Sequence, residues 1–199
     1  MDRIIHKITE CFIVNQIIPE KQREIYEYCV GVVLETGLFV VTTIIIGMIL
    51  HQALPAILFL AYFIACRSYT GGLHADKYWQ CYIFSMITYL ITLVVEVTGN
   101  YFNVNPLIAN AVFVFCSVTQ IVLSPVDSIN KQIIEKSGII RAKIAVMIIF
   151  AVFEIQYWIL WYCKLPGART IIVSAVLVMV SQIAGKIVNH NCRNSGRYH

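Results

Sequence analysis

A polar stretch of 15 residues interrupts the apolar first half of the chain; it covers Arg67–Cys81 and reads RSYTGGLHADKYWQC. Its histidine, His74, is a side chain that exchanges protons near neutral pH. Its cysteine, Cys81, becomes a strong nucleophile when a base or a positive charge favours the thiolate. The glycine pair, Gly71 and Gly72, lets the backbone bend where other residues cannot. The stretch predicts a cysteine peptidase site with Cys81 as nucleophile and His74 as its base.

The composition around this stretch indicates an integral membrane protein. Of the 199 residues, 59% are hydrophobic and 13% are charged, whereas a soluble domain carries about 25% charged residues. The seven cysteines are spread through apolar segments, which favours reduced, buried thiols over a disulfide framework. A structural, buried thiol is therefore the alternative interpretation of Cys81. Charges scattered through residues 1–28 predict that no cleavable signal peptide is present.

Apolar segments predict an all-α, polytopic membrane protein with about six transmembrane helices in a single domain. The segments lie at roughly 30–50, 53–66, 81–99, 104–123, 142–163 and 170–188. A spanning helix needs about 20 residues. The second segment has only 14, so it must be tilted, form a re-entrant helix, or borrow residues from the polar stretch to extend its length. An N-terminal segment, residues 1–29, precedes the bundle, and a tail, residues 189–199, follows it.

The N-terminal segment predicts an amphipathic helix over residues 3–18. Apolar side chains recur there at near-helical spacing, with Arg3, Lys7 and Glu10 between them. Such a helix either lies in the membrane interface or docks against the bundle.

Three acids, Glu35, Glu96 and Glu154, lie within apolar segments or near their ends. A carboxylate in lipid is costly, so each should face a partner or a water-filled cavity. Two interpretations are open. The acids could form a polar path for ions, or their carboxylates could tie helices together.

The distribution of basic residues predicts the orientation, because cytoplasmic loops carry an excess of Lys and Arg. With six spans, all but two of the 15 Lys and Arg residues fall on the side of both termini. The two exceptions are Lys164 and Arg169. Both termini, the polar stretch and the loop 124–141 are therefore expected in the cytoplasm. The net charge of +4 follows from this asymmetry and suggests anionic lipid and acidic peptide partners, with no nucleic acid.

The polar stretch and the six-segment plan resemble the AgrB family, bacterial membrane peptidases of the accessory gene regulator type. The matching pattern is R-x3-G-G-x-H-x6-C, here Arg67, Gly71, Gly72, His74 and Cys81. A second, looser patch covers residues 124–136. It resembles the family's polar loop between the fourth and fifth spans through Pro125, Asn130 and Lys131, although Gln132 replaces a proline.

The resemblance implies a function. Such enzymes cut a small AgrD-type precursor peptide near its C-terminus and keep the mature portion as an acyl-enzyme thioester. An internal cysteine or serine of the peptide then displaces the enzyme, which yields a cyclic thiolactone or lactone for quorum sensing. By position Cys81 is the nucleophile and His74 the base. The resemblance also implies a homodimer in the bacterial cell membrane. No cofactor is expected, and no metal site, because His190 and Cys192 lack further ligands with zinc-like spacing.

Supporting roles remain open at the level of sequence. Arg67 could favour the thiolate, grip an acidic tail of the precursor with two hydrogen bonds, or lie at the interface without a role. Asp76 could orient His74 or cap the following helix. Lys131 and Lys136 could dock an acidic substrate or simply follow the positive-inside pattern.

The spacing of His74 and Cys81 predicts a break in the helix between them. In one continuous helix their separation of seven residues corresponds to a rise of about 10.5 Å. The His74 side chain would also lean away from Cys81, out of hydrogen-bond reach. We therefore expect the third spanning helix to begin near Asp76 or Lys77, with His74 folded back toward the thiol.

Two other functions fit the same plan. A multi-pass peptide transporter would use the spans and the intramembrane acids, and a non-catalytic membrane scaffold would need neither Cys81 nor His74 as reactive groups. Replacement of Cys81 separates them, because only a peptidase loses precursor cleavage.

Overall fold

The computed structural model describes residues 2–70, 78–99, 105–124 and 136–194, with side chains described at 3–70, 79–99, 105–124 and 138–188. Helices make up nearly all of these residues, and none of them forms a strand. A short 3-10 turn at Glu20–Gln22 precedes the second helix. The helices are α1 Asp2–Val14, α2 Arg23–Ile49, α3 Ala53–Thr70, α4 Tyr78–Thr98, α5 Pro106–Leu123, α6 Lys136–Tyr162 and α7 Ala168–Asn194.

The polytopic all-α prediction is confirmed. Five helices in the described ranges are long and apolar enough to cross a membrane: Glu20–Ile49, Ala53–Thr70, Trp79–Thr98, Pro106–Leu123 and Ala168–Val188. The fifth predicted segment, 142–163, forms most of α6, which packs against α3, α5 and α7 but is not one of the five candidate spans. Helix α7 continues to Asn194, so the first part of the predicted tail is helical.

Helix α3 is the centre of the bundle, and its 18 residues explain how the short second segment is accommodated. The helix extends through Arg67 to Thr70, so it borrows its last turn from the polar stretch, which was one of the three alternatives. It packs against α2, α4, α6 and α7. Half of its residues are buried, against a third or less in the other spans.

Aromatic side chains of α3 fill the core on adjoining faces of the helix. The Phe59 and Phe63 rings stack with centroids 5.2 Å apart, and Tyr62 meets Phe153 of α6 edge-on at 4.9 Å. Offset and edge-to-face contacts of this kind stabilise cores beyond simple burial. The surrounding helices keep many large apolar side chains exposed, as expected for surfaces that face lipid.

Helix α1 docks against α2, with its Ile5 and Thr9 side chains buried. Glu10 pairs with Arg23 at 3.2 Å, and His6 contacts Glu27 at 2.9 Å. The docking alternative is therefore correct for the buried face, whereas membrane binding by the exposed face of α1 stays a prediction. These ion pairs are exposed, so each contributes little on its own.

Glu96 ties the end of α4 to the start of α7, which supports the helix-tie interpretation for this acid. Its carboxylate accepts hydrogen bonds from the backbone N–H groups of Gly167 and Thr170 and from the Thr170 hydroxyl, each at 2.9 Å. An anion is stabilised there because the first N–H groups of a helix have no intrahelical partner. Glu154 instead accepts a hydrogen bond from Trp158 Nε1 at 3.0 Å. Both residues lie on α6, so this bond does not connect two helices.

Candidate active site

Arg67 and Cys81 meet where α3 ends and α4 begins. Arg67 Nη2 donates to Cys81 Sγ at 3.0 Å, and Nη1 of the same guanidinium donates to Ser85 Oγ at 3.2 Å. Cys81 and Ser85 lie four residues apart on α4, so they share one face of that helix. The planar guanidinium spans both acceptors, and this geometry would suit a thiolate at Cys81.

A side chain of its own helix, α3, also contacts Arg67. Its Cζ atom lies 5.5 Å from the centroid of the Phe63 ring, one turn earlier on α3. A guanidinium over an aromatic face is attracted by the ring's electrons, and more so where water is partly excluded. Arg67 is partly buried. These contacts favour the thiolate-supporting interpretation of Arg67 over that of an idle interface residue.

Backbone contacts of α3 fix the position of the Arg67 turn. The buried amide of Gln182 on α7 donates to the carbonyl oxygens of Thr70 and Gln120, at 3.5 and 3.2 Å. Ser124, at the end of α5, donates its hydroxyl to the Tyr69 carbonyl at 3.1 Å. The last carbonyl groups of a helix lack intrahelical partners, so these side chains both satisfy them and join three helices beside the site.

Glu35 is a third ionisable group near the site, and the sequence alone did not assign it there. It lies on α2 with 8% of its surface exposed. Its carboxyl is close enough to Cys81 and Arg67 to interact electrostatically with both. The available signal was an acid inside an apolar segment. Its partner could not be read from the sequence, because α2 and α4 become neighbours only in the folded bundle.

The other predicted site residues, Gly71, Gly72, His74, Asn130 and Lys131, lie outside the described residues. So do Asp76, Lys77, Pro125 and Gln132, together with the expected break between His74 and Cys81. On the described side of that gap, α4 begins at Tyr78 and Cys81 is in its first turn.

Cys81 differs from the other described cysteines in its surroundings. Cys66 and Cys116 are buried in the apolar core, and Cys11, Cys29 and Cys163 are exposed. All six described cysteines, including Cys81, are free. The expectation that the thiols are mostly buried is wrong for Cys11, Cys29 and Cys163, which are exposed. Cys81 is partly exposed, and a guanidinium lies 3.0 Å from its sulfur. Among the described side chains, no three His, Cys, Asp or Glu residues form a metal-binding group.

The fold and this site define a polytopic all-α membrane protein with an arginine–cysteine pair at one end of its bundle. The family model described as Accessory gene regulator B matches residues 3–183. The chain therefore belongs to the AgrB family, as its sequence motifs indicated.

Two relatives from Clostridium perfringens agree with this assignment. A protein of strain SM101 named AgrB-like is 27% identical over 149 residues, which cover 71% of this chain and 70% of that protein. A second AgrB-like protein, of strain 13, is 25% identical over 150 residues with the same shares covered. No solved structure matches the chain.

Proposed function

We propose that this protein is a membrane cysteine endopeptidase that cleaves a small AgrD-type autoinducer precursor and promotes its cyclisation. The observation that carries the proposal is the contact of 3.0 Å between Arg67 Nη2 and Cys81 Sγ. It gives a partly exposed thiol a permanent positive partner at the end of an apolar bundle. Family membership supports a part in autoinducer processing, and the arginine–cysteine geometry supports the thiol chemistry.

The chemistry explains why a cysteine suits this reaction. Cys81 attacks the scissile carbonyl, the C–N bond breaks, and the mature portion of the peptide stays on the enzyme as a thioester. A thioester keeps most of the activation of that bond, so attack by a thiol of the peptide is close to thermoneutral. Hydrolysis would discard the activation. A site that excludes water, as the end of an apolar bundle does, therefore favours cyclisation.

The remaining roles are part of the same proposal. His74 carries protons for the reaction, and Gly71 and Gly72 allow the backbone before it to bend. Asn130 and Lys131 bind the precursor on the cytoplasmic side. Arg67 supports the thiolate, and one of its N–H groups is already used by Ser85.

We propose a cytoplasmic orientation for both termini and the site, from the positive-inside pattern. The partners are the bilayer, the precursor peptide and a second copy of the chain in a homodimer.

Co-expression with the small open reading frame next to the gene, followed by mass analysis of the peptide, tests the function. We expect a shortened, cyclised peptide with the wild-type protein and only the intact precursor with Cys81→Ala. Cleavage that continues in Cys81→Ala would contradict the peptidase proposal. Flux of an intact peptide that is unaffected by this substitution would favour the transporter.

A further inference from the structure

The end of the bundle opposite the thiol site contains an apolar cleft between four helices. Residues of α4, α5, α6 and α7 line this cavity of about 470 Å³, and most of its wall is apolar. Val95, Ile108 and Val112 line it and remain exposed, so the cleft opens on the surface that we expect lipid to cover. Tyr157, also in the wall, is fixed by its hydroxyl, which donates to the Pro106 carbonyl at 3.1 Å. A cleft of this size is in the range of pockets that hold small apolar ligands.

A second, more polar cavity of about 610 Å³ adjoins the cleft. The two share Trp161, Ala168 and Arg169, and the second is also lined by Glu96 and Lys164. The Glu96 carboxylate is already held by the start of α7. Lys164 and Arg169 contribute two positive charges against this one negative charge, so the charged groups of the polar cavity sum to +1. A positive cavity next to an apolar cleft suits a ligand with an anionic head and an apolar chain.

Lys164 and Arg169 are also the two basic residues that depart from the positive-inside pattern. The connections at this end of the bundle, residues 50–52, 99–105 and 163–167, carry Lys164 as their sole charged residue. Arg169 follows in the first turn of α7. The folded chain brings both exceptions to one cavity. A convergence of the few charges at this end indicates an anionic ligand.

The backbone at Lys164 gives a separate reason to assign a use to this side chain. Its φ is 54°, in the left-handed region where glycine is the usual residue after a helix. The Lys164 N–H bonds to the Trp161 carbonyl at 3.2 Å and the Leu165 N–H to the Leu160 carbonyl at 2.9 Å. This is the Schellman arrangement, with Lys164 at its glycine position. Lysine is less favourable there than glycine, so the helix end alone does not explain it.

We propose that this end of the bundle binds one anionic phospholipid. Lys164 and Arg169 bind its phosphate, and one acyl chain lies in the apolar cleft between α4, α5, α6 and α7. Trp161 lines both cavities, which suits an amphipathic ring at the level where head group and chain meet. The inference goes beyond the proposed function and does not rest on it.

The Arg169 side chain is placed by the residue that it crosses. A Cβ added at Gly99 would lie 2.6 Å from Arg169 Cδ and 3.0 Å from Nε, so the absence of a side chain at Gly99 leaves the space that Arg169 occupies. The planar guanidinium offers two parallel donors to a phosphate. A soluble anion would use this polar part alone, whereas a lipid also buries a chain in the cleft, so the pair of cavities favours a lipid.

The test is lipid binding by the full chain in detergent, with bound lipids counted by native mass spectrometry. The probes are phosphatidylglycerol and phosphatidylcholine with identical acyl chains. We expect one phosphatidylglycerol to bind about fivefold more tightly than phosphatidylcholine, and Lys164→Gly to lose this advantage. Arg141→Gln removes one positive charge at the other end of α6 and is the matched control, with unchanged affinity.

Lys164→Gly is suited to this test because glycine is favoured at a left-handed φ. Its unfolding temperature without lipid should therefore equal or exceed that of the wild type. Gly99→Ala is a second variant that keeps every charge, and we expect weaker phosphatidylglycerol binding because the added Cβ displaces the Arg169 side chain.

Three results would overturn the proposal. The first is equal affinity for the two lipids, and the second is wild-type affinity in both Lys164→Gly and Gly99→Ala. The third is loss of lipid binding when inorganic phosphate is added at the same concentration as the lipid, which would indicate a site for a free anion. Neither the probes nor the variants involve Cys81, so the outcome is independent of precursor cleavage.

Discussion

Arg67 Nη2 lies 3.0 Å from Cys81 Sγ, although 14 residues separate the two in the chain. The contact forms because α3 carries Arg67 near its C-terminal end and α4 carries Cys81 in its first turn. Ser85 binds the second arm of the guanidinium and Phe63 lies under it. The arginine is thereby positioned on both helices, which makes it a fixed electrostatic partner of the thiol.

Replacement of Cys81 should abolish precursor cleavage, and Cys81→Ser should be severely impaired because a hydroxyl is much harder to ionise than a thiol. We expect Cys81→Ala to lose activity at least about a thousandfold. Cleavage is measured by mass analysis after co-expression. Cys163→Ala is the control, since this exposed cysteine lies in the turn after α6. If Cys163→Ala or Cys66→Ala were as inactive as Cys81→Ala, the choice of nucleophile would be wrong.

Arg67→Lys should lower cleavage although it keeps the positive charge. A lysine has no planar fork, so it cannot hold the sulfur and Ser85 in the geometry of the guanidinium. Loss of one hydrogen bond to a charged group corresponds to roughly ten- to a hundredfold in rate. Arg141→Lys, at an exposed position of α6, is the matched control with unchanged cleavage. Wild-type activity in Arg67→Lys would mean that charge alone suffices.

Glu96→Gln should destabilise the bundle without a direct effect on the chemistry. The amide keeps one acceptor oxygen but loses the charge that the start of α7 stabilises, and such a loss costs about 1–2 kcal/mol. Thermal unfolding in detergent measures the change, with Glu154→Gln as control. An unfolding temperature equal to that of the control would show that the charge at α7 is dispensable.

Two glycines on α2 should respond oppositely to the same substitution. An added Cβ at Gly47 would meet Ala56 Cβ of α3 at 2.5 Å, whereas one at Gly37 would meet nothing within 4 Å. We expect Gly47→Ala to destabilise by about 1–3 kcal/mol through overpacking. Gly37→Ala should stabilise by up to about 1 kcal/mol, because alanine favours the helix. The free energy of unfolding, measured in the same detergent for both variants, distinguishes them.

The natural cysteines offer a test of orientation. Cys11 on α1 and Cys163 after α6 are both exposed, and the positive-inside pattern places them on opposite sides of the membrane. An impermeant thiol reagent added outside right-side-out vesicles should label Cys163 and spare Cys11 and Cys81. Labelling of Cys11 or Cys81 under these conditions would show that the orientation is the opposite of the one we propose.

Several features followed from local sequence. Hydropathy sufficed for an all-α membrane protein, because each spanning helix satisfies its own backbone hydrogen bonds and needs only enough apolar length. The short second apolar segment left three alternatives, and one of them was that α3 extends into the polar stretch, as it does. The motif also singled out Arg67 and Cys81, and the folded bundle brings their side chains to 3.0 Å.

The sequence by itself thus determined the class of fold, the family and the nucleophile that we propose. Only the tertiary structure decided which helix is central, that Glu96 binds the start of α7, and that Arg67 reaches both Cys81 and Ser85. The physical reason is that lipid covers apolar faces as well as neighbouring helices do, so hydropathy does not specify which helices are neighbours. That choice depends on close packing and on a few buried polar contacts between helices, and these exist only once the bundle has assembled.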